Sequence, residues 1–261
     1  MSLIGAEVRK AGAKLPLADH LPRPCARGER RQHPDRLAHD LARGHPVTVT
    51  AVAERFAGVA KMVEPFGMEN YTEWFTESFV WNTNWKVLAE NFMESYHLPV
   101  CHAGTIGGLS KLDDMVCPPG LATFNYHTIL KDDRLKIALA HPSNTKLTGD
   151  RRRMTYLLAI YPSLLITLTP GYFWYLSLHP KGPGQVKIIF GGGMSKDFMQ
   201  DADVDQHFTK LKTLLDEVNV EDRGCTERVY QGLLSGMAEP GHLSHLERPN
   251  FDFATWIAGQ V

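Results

Sequence analysis

Between residues 122 and 194 lie five runs rich in β-branched and aromatic residues: "ATFNYHTIL", "RMTYLLAIY", "LLITLTP", "YFWYLSLHP" and "QVKIIFGGGM". Joints of turn-forming residues, "TPGY" and "PKGPGQ", separate the last three, and short Gly/Pro joints between strand-like runs specify antiparallel neighbours. The chain is therefore expected to build a meander. A long helix is predicted next, over about residues 203–235, because Phe208, Leu211, Leu214, Leu215 and Val218 recur at helical spacing. Ahead of the strands, "NWKVLAENFMESYHL" places Trp85, Leu88, Phe92 and Tyr96 on another such stripe. Pro99 is positioned to end that helix near Leu98, since proline lacks an N–H and biases its predecessor away from α. "HAGTIGGLSKLDDMVCPPG" reads as a loop, and "GGGM" at 191–194 as a strand bulge or strand end rather than a phosphate cradle. Helix, sheet and long helix in that order define an α+β class.

Hydrophobic residues at 43% and charged residues at 22% suffice for a sizeable core. A formal charge of -1 provides no global field for nucleic acid or an anionic membrane. No apolar run approaches the length of about 18 residues that spans a bilayer, and the start lacks the apolar stretch of a secretory signal. A cytoplasmic location is the expectation. Cys25, Cys101, Cys117 and Cys225 form no CxxC pair and read as free thiols. Residues 1–55 contain no Phe, Trp or Tyr, although aromatics make up 10% of the chain, and they are rich in Arg, His, Ala, Pro and Gly. They have little with which to form a core, so the chain divides into an irregular segment at 1–55 and a folded body at 56–261.

The chemistry concentrates in "ENFMESYHLPVCH". On an unbroken helix His97 and His102, five residues apart, would point about 140° away from each other. With Pro99 stopping the helix between them, His97 can project from its last turn while His102 returns from the loop, so that both imidazoles reach one metal. Two imidazoles and a carboxylate, with other positions left open, form the ligand pattern of non-heme Fe(II). The spacing does not identify the carboxylate.

"NWKVLAENFMESYHLPVCH" resembles the catalytic-domain signature of the Rieske non-heme iron oxygenase large subunit, the alpha subunit of the aromatic-ring-hydroxylating dioxygenases. There Asn-Trp-Lys opens a helix that leads through Glu-Asn to an acidic residue, x2, His, x4, His. "EDRGCTERVYQGLLSG", followed by "GHLSHLE", resembles the helix with the family's carboxylate ligand and the segment after it; the likeness extends over roughly residues 57–258. The resemblance implies a helix-grip fold (START or Bet v 1-like), with a curved antiparallel sheet around a long C-terminal helix. It implies His97, His102 and Asp222 as iron ligands, with Glu221 a competing carboxylate next to Asp222. Glu94 resembles the acidic bridge that carries electrons between the iron and the 2Fe–2S cluster of a neighbouring subunit. Tyr96, Asn91 and Trp85 read as packing and helix-orienting residues.

The activity so implied is O2-dependent hydroxylation, dihydroxylation or demethylation of a small organic substrate, aromatic or quaternary amine. Electrons would come from NAD(P)H through a reductase or ferredoxin and a Rieske cluster, in a homo-oligomer that is a trimer in the family, with no nucleic-acid or membrane partner. Tyr156, Leu158, Ile160, Leu165, Thr167, Tyr172, Trp174 and Leu176 are pocket candidates whose facing alternation alone does not give. The family pattern fails at the cluster, whose Cys-x-His and Cys-x2-His ligands are absent: Cys25 precedes Ala-Arg, Cys101 His-Ala, Cys117 Pro-Pro and Cys225 Thr-Glu. A truncated chain is expected, with residues 1–55 a remnant of the cluster domain or a stretch read out of frame. The alternative function is a catalytically impaired, ligand-binding subunit of the same fold.

Overall fold

The computed structural model describes residues 52–109, 111–130 and 138–260. The segment assigned to residues 1–55 lies almost wholly outside them, as does Cys25. Seven antiparallel strands form one sheet: β1 (Thr72–Trp81), β2 (Met115–Val116), β3 (Phe124–Leu130), β4 (Met154–Ile160), β5 (Leu164–Leu168), β6 (Tyr172–Pro180) and β7 (Val186–Met194). Their order is β1-β7-β6-β5-β4-β3-β2, so β2 to β7 form the meander that the short joints require. β1 was not among the predicted strands. It pairs antiparallel with β7 as an edge, with Glu73, Thr76 and Glu77 exposed between its aromatics.

Both faces of the sheet are covered, and each strand accordingly carries apolar residues at consecutive positions. On the inner face Ala159, Leu165, Leu176, Leu178, Ile188 and Phe190 pack with residues of the long helix. On the outer face Phe124, Leu158 and Leu168 pack with Val59 and Phe66, which come from α2 (Ala57–Val63) and the turn after it; α1 (Val52–Arg55) precedes them. Of the eight pocket candidates, Tyr156, Leu158 and Ile160 belong to the outer cluster. Leu165, Tyr172, Trp174 and Leu176 belong to the inner one, and Thr167, two residues from Leu165, shares its face.

The helix α3 (Trp85–Met93) begins where Asn84 accepts a hydrogen bond from the Lys86 N–H at 2.9 Å, an N-cap that accounts for the asparagine of the Asn-Trp-Lys opening. Its buried stripe is Val87, Leu88, Ala89, Phe92 and Met93. The helix stops at Met93, not near Leu98, and Glu94 is extended at φ -127° and ψ 158°. The reason is local: the Glu94 carboxylate accepts the backbone N–H groups of Tyr96 and His97 and so stabilises a turn in place of further helix. Pro99 sits in the first turn of a new short helix, α4 (Leu98–Cys101), where its missing N–H costs nothing.

The predicted long helix is α5 (Val204–Leu234), which buries Phe208, Leu211, Leu215 and Val218. It is followed by α6 (Arg248–Ala258), whose Phe253 is fully buried between the rings of Trp85 and Tyr161, at centroid distances of 5.9 and 5.6 Å. Gly191, Gly192 and Gly193 lie within β7, where a Cβ would come within 2.6, 2.8 and 2.6 Å of Tyr175, Phe75 or Phe173 atoms. The run gives neighbouring aromatic rings room to lie across the strand. β1 bulges between Glu73 and Phe75 opposite it. No described helix is long and apolar enough to cross a membrane.

Candidate metal centre

The break at Glu94 determines where the two histidines go. His97 is the N-cap of α4 and His102 its C-cap, so one helical turn, rather than a loop alone, brings their rings to a centroid separation of 5.1 Å. The following chain is pinned by Gly107, whose N–H donates to the His102 carbonyl at 2.8 Å. A Cβ at Gly107 would lie 2.6 Å from the Leu98 carbonyl oxygen, so only glycine allows this return.

Asp222 reaches the pair from α5. Its Oδ1 is 3.6 Å from His97 Nε2 and 3.2 Å from His102 Nε2. One ligand atom from each of the three residues lies within 4.8 Å of the others, the one such group among the described residues. Both Nδ1 atoms are engaged elsewhere: His97 Nδ1 donates to Glu94 Oε1 at 2.7 Å and His102 Nδ1 to Glu221 Oε2 at 2.7 Å. These bonds assign the proton of each neutral ring to Nδ1 and leave the two Nε2 lone pairs directed at the same carboxylate. Two imidazole nitrogens and one carboxylate suit a divalent first-row metal such as Fe(II).

Glu221, read from sequence as a competing ligand, instead holds His102 and accepts a second hydrogen bond from the Thr105 hydroxyl at 2.7 Å. Neighbours on a helix point about 100° apart, which separates its task from that of Asp222. Asn91, read as a packing residue, donates its amide to Asp222 Oδ1 at 2.8 Å and ties α3 to α5. Tyr96, read as a helix-orienting residue, lies beyond the end of α3, with its hydroxyl 3.0 Å from Ser244 Oγ. Burial alone would lower the pKa of His102, but the negative charges of Asp222 and Glu221 beside its two ring nitrogens outweigh it and raise it. Burial pushes the Cys101 thiol up to about 12, and the Cys225 thiol beside it adds to the effect.

His127, on β3, carried no sequence signal. It is buried, with Nε2 2.8 Å from Ser95 Oγ, and burial, with the charge of His97, lowers its pKa to about 3. A histidine with an ordinary value near 6.5 when unfolded then takes up its proton only on unfolding at mildly acid pH. Stability is therefore lost as pH falls below about 6.5, with roughly 2 kcal/mol from this group by about pH 5. Urea unfolding of His127→Gln at both pH values should show that much less acid destabilisation; an undiminished loss would contradict the assignment.

From His127 a row of paired residues crosses the inner face through Leu157 and Thr167 to Trp174. Trp174 meets Phe92 of α3 edge to face at 5.8 Å. The hydroxyls of Thr155 and Thr167 are buried there without a hydrogen-bond partner among the described residues.

A family model described as "Ring hydroxylating alpha subunit (catalytic domain)" matches residues 68–261. No curated protein sequence matches significantly. Among solved structures, a quaternary ammonium Rieske monooxygenase, described in connection with carnitine oxidation by gut microbiota and inter-subunit electron transfer, superposes with a TM-score of 0.62 at 15% identity, covering 80% of this chain and 57% of that one. A quaternary ammonium Rieske monooxygenase in complex with L-carnitine gives 0.59 at 14%, over 81% and 56%. A naphthalene 1,2-dioxygenase variant bound to phenanthrene gives 0.51 at 15%, over 70% and 49%. The likeness is one of fold, that of an antiparallel sheet with a long C-terminal helix. The present chain spans a little over half the length of the first two structures.

Proposed function

Because the chain belongs to the ring-hydroxylating alpha subunit family and carries its catalytic domain over residues 68–261, we propose that His97, His102 and Asp222 hold one Fe(II) for oxygenation of a small organic molecule. The observation that carries this reading is the paired orientation of the histidines, each Nδ1 donating to a glutamate while both Nε2 atoms face Asp222. When bound, the iron supplies the one-electron chemistry that activates O2 for hydroxylation, dihydroxylation or demethylation.

The residues around it hold the donors ready. Glu94 and Glu221 keep both rings in the tautomer whose Nε2 is free, and Asn91 orients the carboxylate of Asp222. Glu221→Gln is expected to weaken Fe(II) binding by about 10- to 100-fold, the usual cost of losing such a partner. Anaerobic titration against a chromogenic chelator checks it, and an unchanged affinity would remove Glu221 from this role.

The substrate is proposed to lie against the inner-face row, where Trp174 and Leu157 offer an apolar wall and Thr155 and Thr167 two unpartnered hydroxyls. A largely apolar molecule with one or two polar groups fits that lining. An aromatic ring can stack there, and a quaternary amine can be held by the Trp174 face through cation–π attraction. L-carnitine and phenanthrene, bound in the similar structures, represent the two classes.

Glu94 is proposed as the electron bridge to a 2Fe–2S cluster of a neighbouring subunit in a homotrimer, fed from NAD(P)H by a reductase or ferredoxin. In this reading a partner supplies that cluster, since no cysteine here stands in a cluster motif. Hydrogen peroxide carries both an oxygen atom and two oxidising equivalents, so it can replace O2 and the electron donors in a test. The iron-loaded chain should convert a trimethylammonium or polycyclic aromatic probe with peroxide, and His97→Ala should not. No product from either class with iron bound would favour a ligand-binding subunit.

A further inference from the structure

Cys101 closes α4, one residue before His102, and Cys225 lies on α5, three residues after Asp222. Their Sγ atoms are 3.0 Å apart, and both side chains are partly accessible rather than sealed in the core. A disulfide requires about 2.05 Å, so the sulfurs need to approach by only about 1 Å. Cys117, the other described cysteine, has no such neighbour and donates its thiol to the Leu246 carbonyl at 3.4 Å. The contact between Cys101 and Cys225 joins the two elements that carry the histidines and Asp222.

We propose that Cys101 and Cys225 form an oxidation site, a dithiol that hydrogen peroxide converts to a disulfide linking α4 to α5. The Cys225 sulfur, as its thiolate, attacks a peroxide oxygen; the O–O bond breaks and hydroxide leaves, taking up the proton to become water. The resulting sulfenic acid is attacked by the second sulfur, and the S–S bond forms as a second water departs. Two thiols and one hydrogen peroxide thus give one disulfide and two waters, with the two cysteines oxidised and both peroxide oxygens reduced. The bond closes a loop spanning 124 positions, so it restricts the unfolded chain strongly. It also fixes the separation of the two ligand-bearing helices. That last consequence rests on the iron-site reading, while the bond itself rests on the thiol geometry alone.

The test uses the full reduced chain, treated with excess hydrogen peroxide, quenched, alkylated and digested without reduction for mass spectrometry. Most of Cys101 and Cys225 should be recovered as one cross-linked peptide pair, restored to alkylatable thiols by dithiothreitol, with Cys117 outside the cross-link. Peroxide should raise the thermal midpoint of the wild-type chain by several degrees and fail to raise that of Cys225→Ser. Recovery of Cys101 and Cys225 as alkylated thiols, as sulfinic acids, or joined to Cys25 or Cys117 would overturn the proposal. Since these readouts use neither iron nor substrate, failure of the iron site and failure of the dithiol site are separately visible.

Discussion

His97→Ala and His102→Ala, each purified anaerobically from iron-supplemented cells, are expected to drop from about one iron per chain to trace amounts. Each removes one of the three donors and leaves two ligands, below the face of three that this metal type requires. The loss has a second cause in the surroundings. Glu94 is only 5% exposed, and without the His97 Nδ1–H it retains only backbone donors, so the carboxylate has less reason to stay where it orients the turn. His102→Ala similarly frees Glu221 from its ring partner. Cooperative unfolding in both variants separates loss of metal from loss of fold. Wild-type iron content in both would contradict the assignment.

Glu94→Gln is expected to retain iron but to lower NADH-driven turnover by about 100-fold, the upper range for losing a carboxylate that holds a metal-ligating imidazole. The measurement requires an added cluster-bearing partner and reductase. Glutamine offers one acceptor oxygen where the carboxylate uses two, Oε1 for His97 Nδ1 and Oε2 for the backbone of Tyr96 and His97. It also removes the charge that makes the imidazole a better donor. Peroxide-driven turnover bypasses electron entry, so it should fall far less than NADH-driven turnover. An equal fall in both would make Glu94 a structural residue only.

Much of the sheet was legible because turn residues bracket each run from β3 to β7, and the apolar stripe from Phe208 to Val218 marks the first half of α5. β1 was not, since an edge strand with Glu73, Thr76 and Glu77 exposed lacks the apolar density of its neighbours. The end of α3 was misplaced because Tyr96 continues the apolar stripe, while the break depends on side-chain to backbone bonds from Glu94 that periodicity does not register. The facing of Tyr156, Leu158 and Ile160 was hidden by burial on both sides of the sheet.

At the site, His97 and His102 do converge, but the break that brings them together is at Glu94, and Pro99 opens α4 instead of ending a helix between them. Asp222 came from the resemblance, since no spacing links it to the histidines. The contact of Asn91 with Asp222 spans 131 positions, and His127 reaches Ser95 from β3, thirty-two positions away. Both arise only when α3, α5 and β3 have packed, which is why neither was legible.

The most direct test of the iron centre is an X-ray structure of the anaerobically iron-loaded chain, with diffraction collected on both sides of the iron absorption edge. The account predicts one anomalous peak bounded by His97 Nε2, His102 Nε2 and the Asp222 carboxylate, with Glu94 and Glu221 remaining on the two Nδ1 atoms. A peak elsewhere, or one held by Glu221 or a cysteine in place of Asp222, would contradict it.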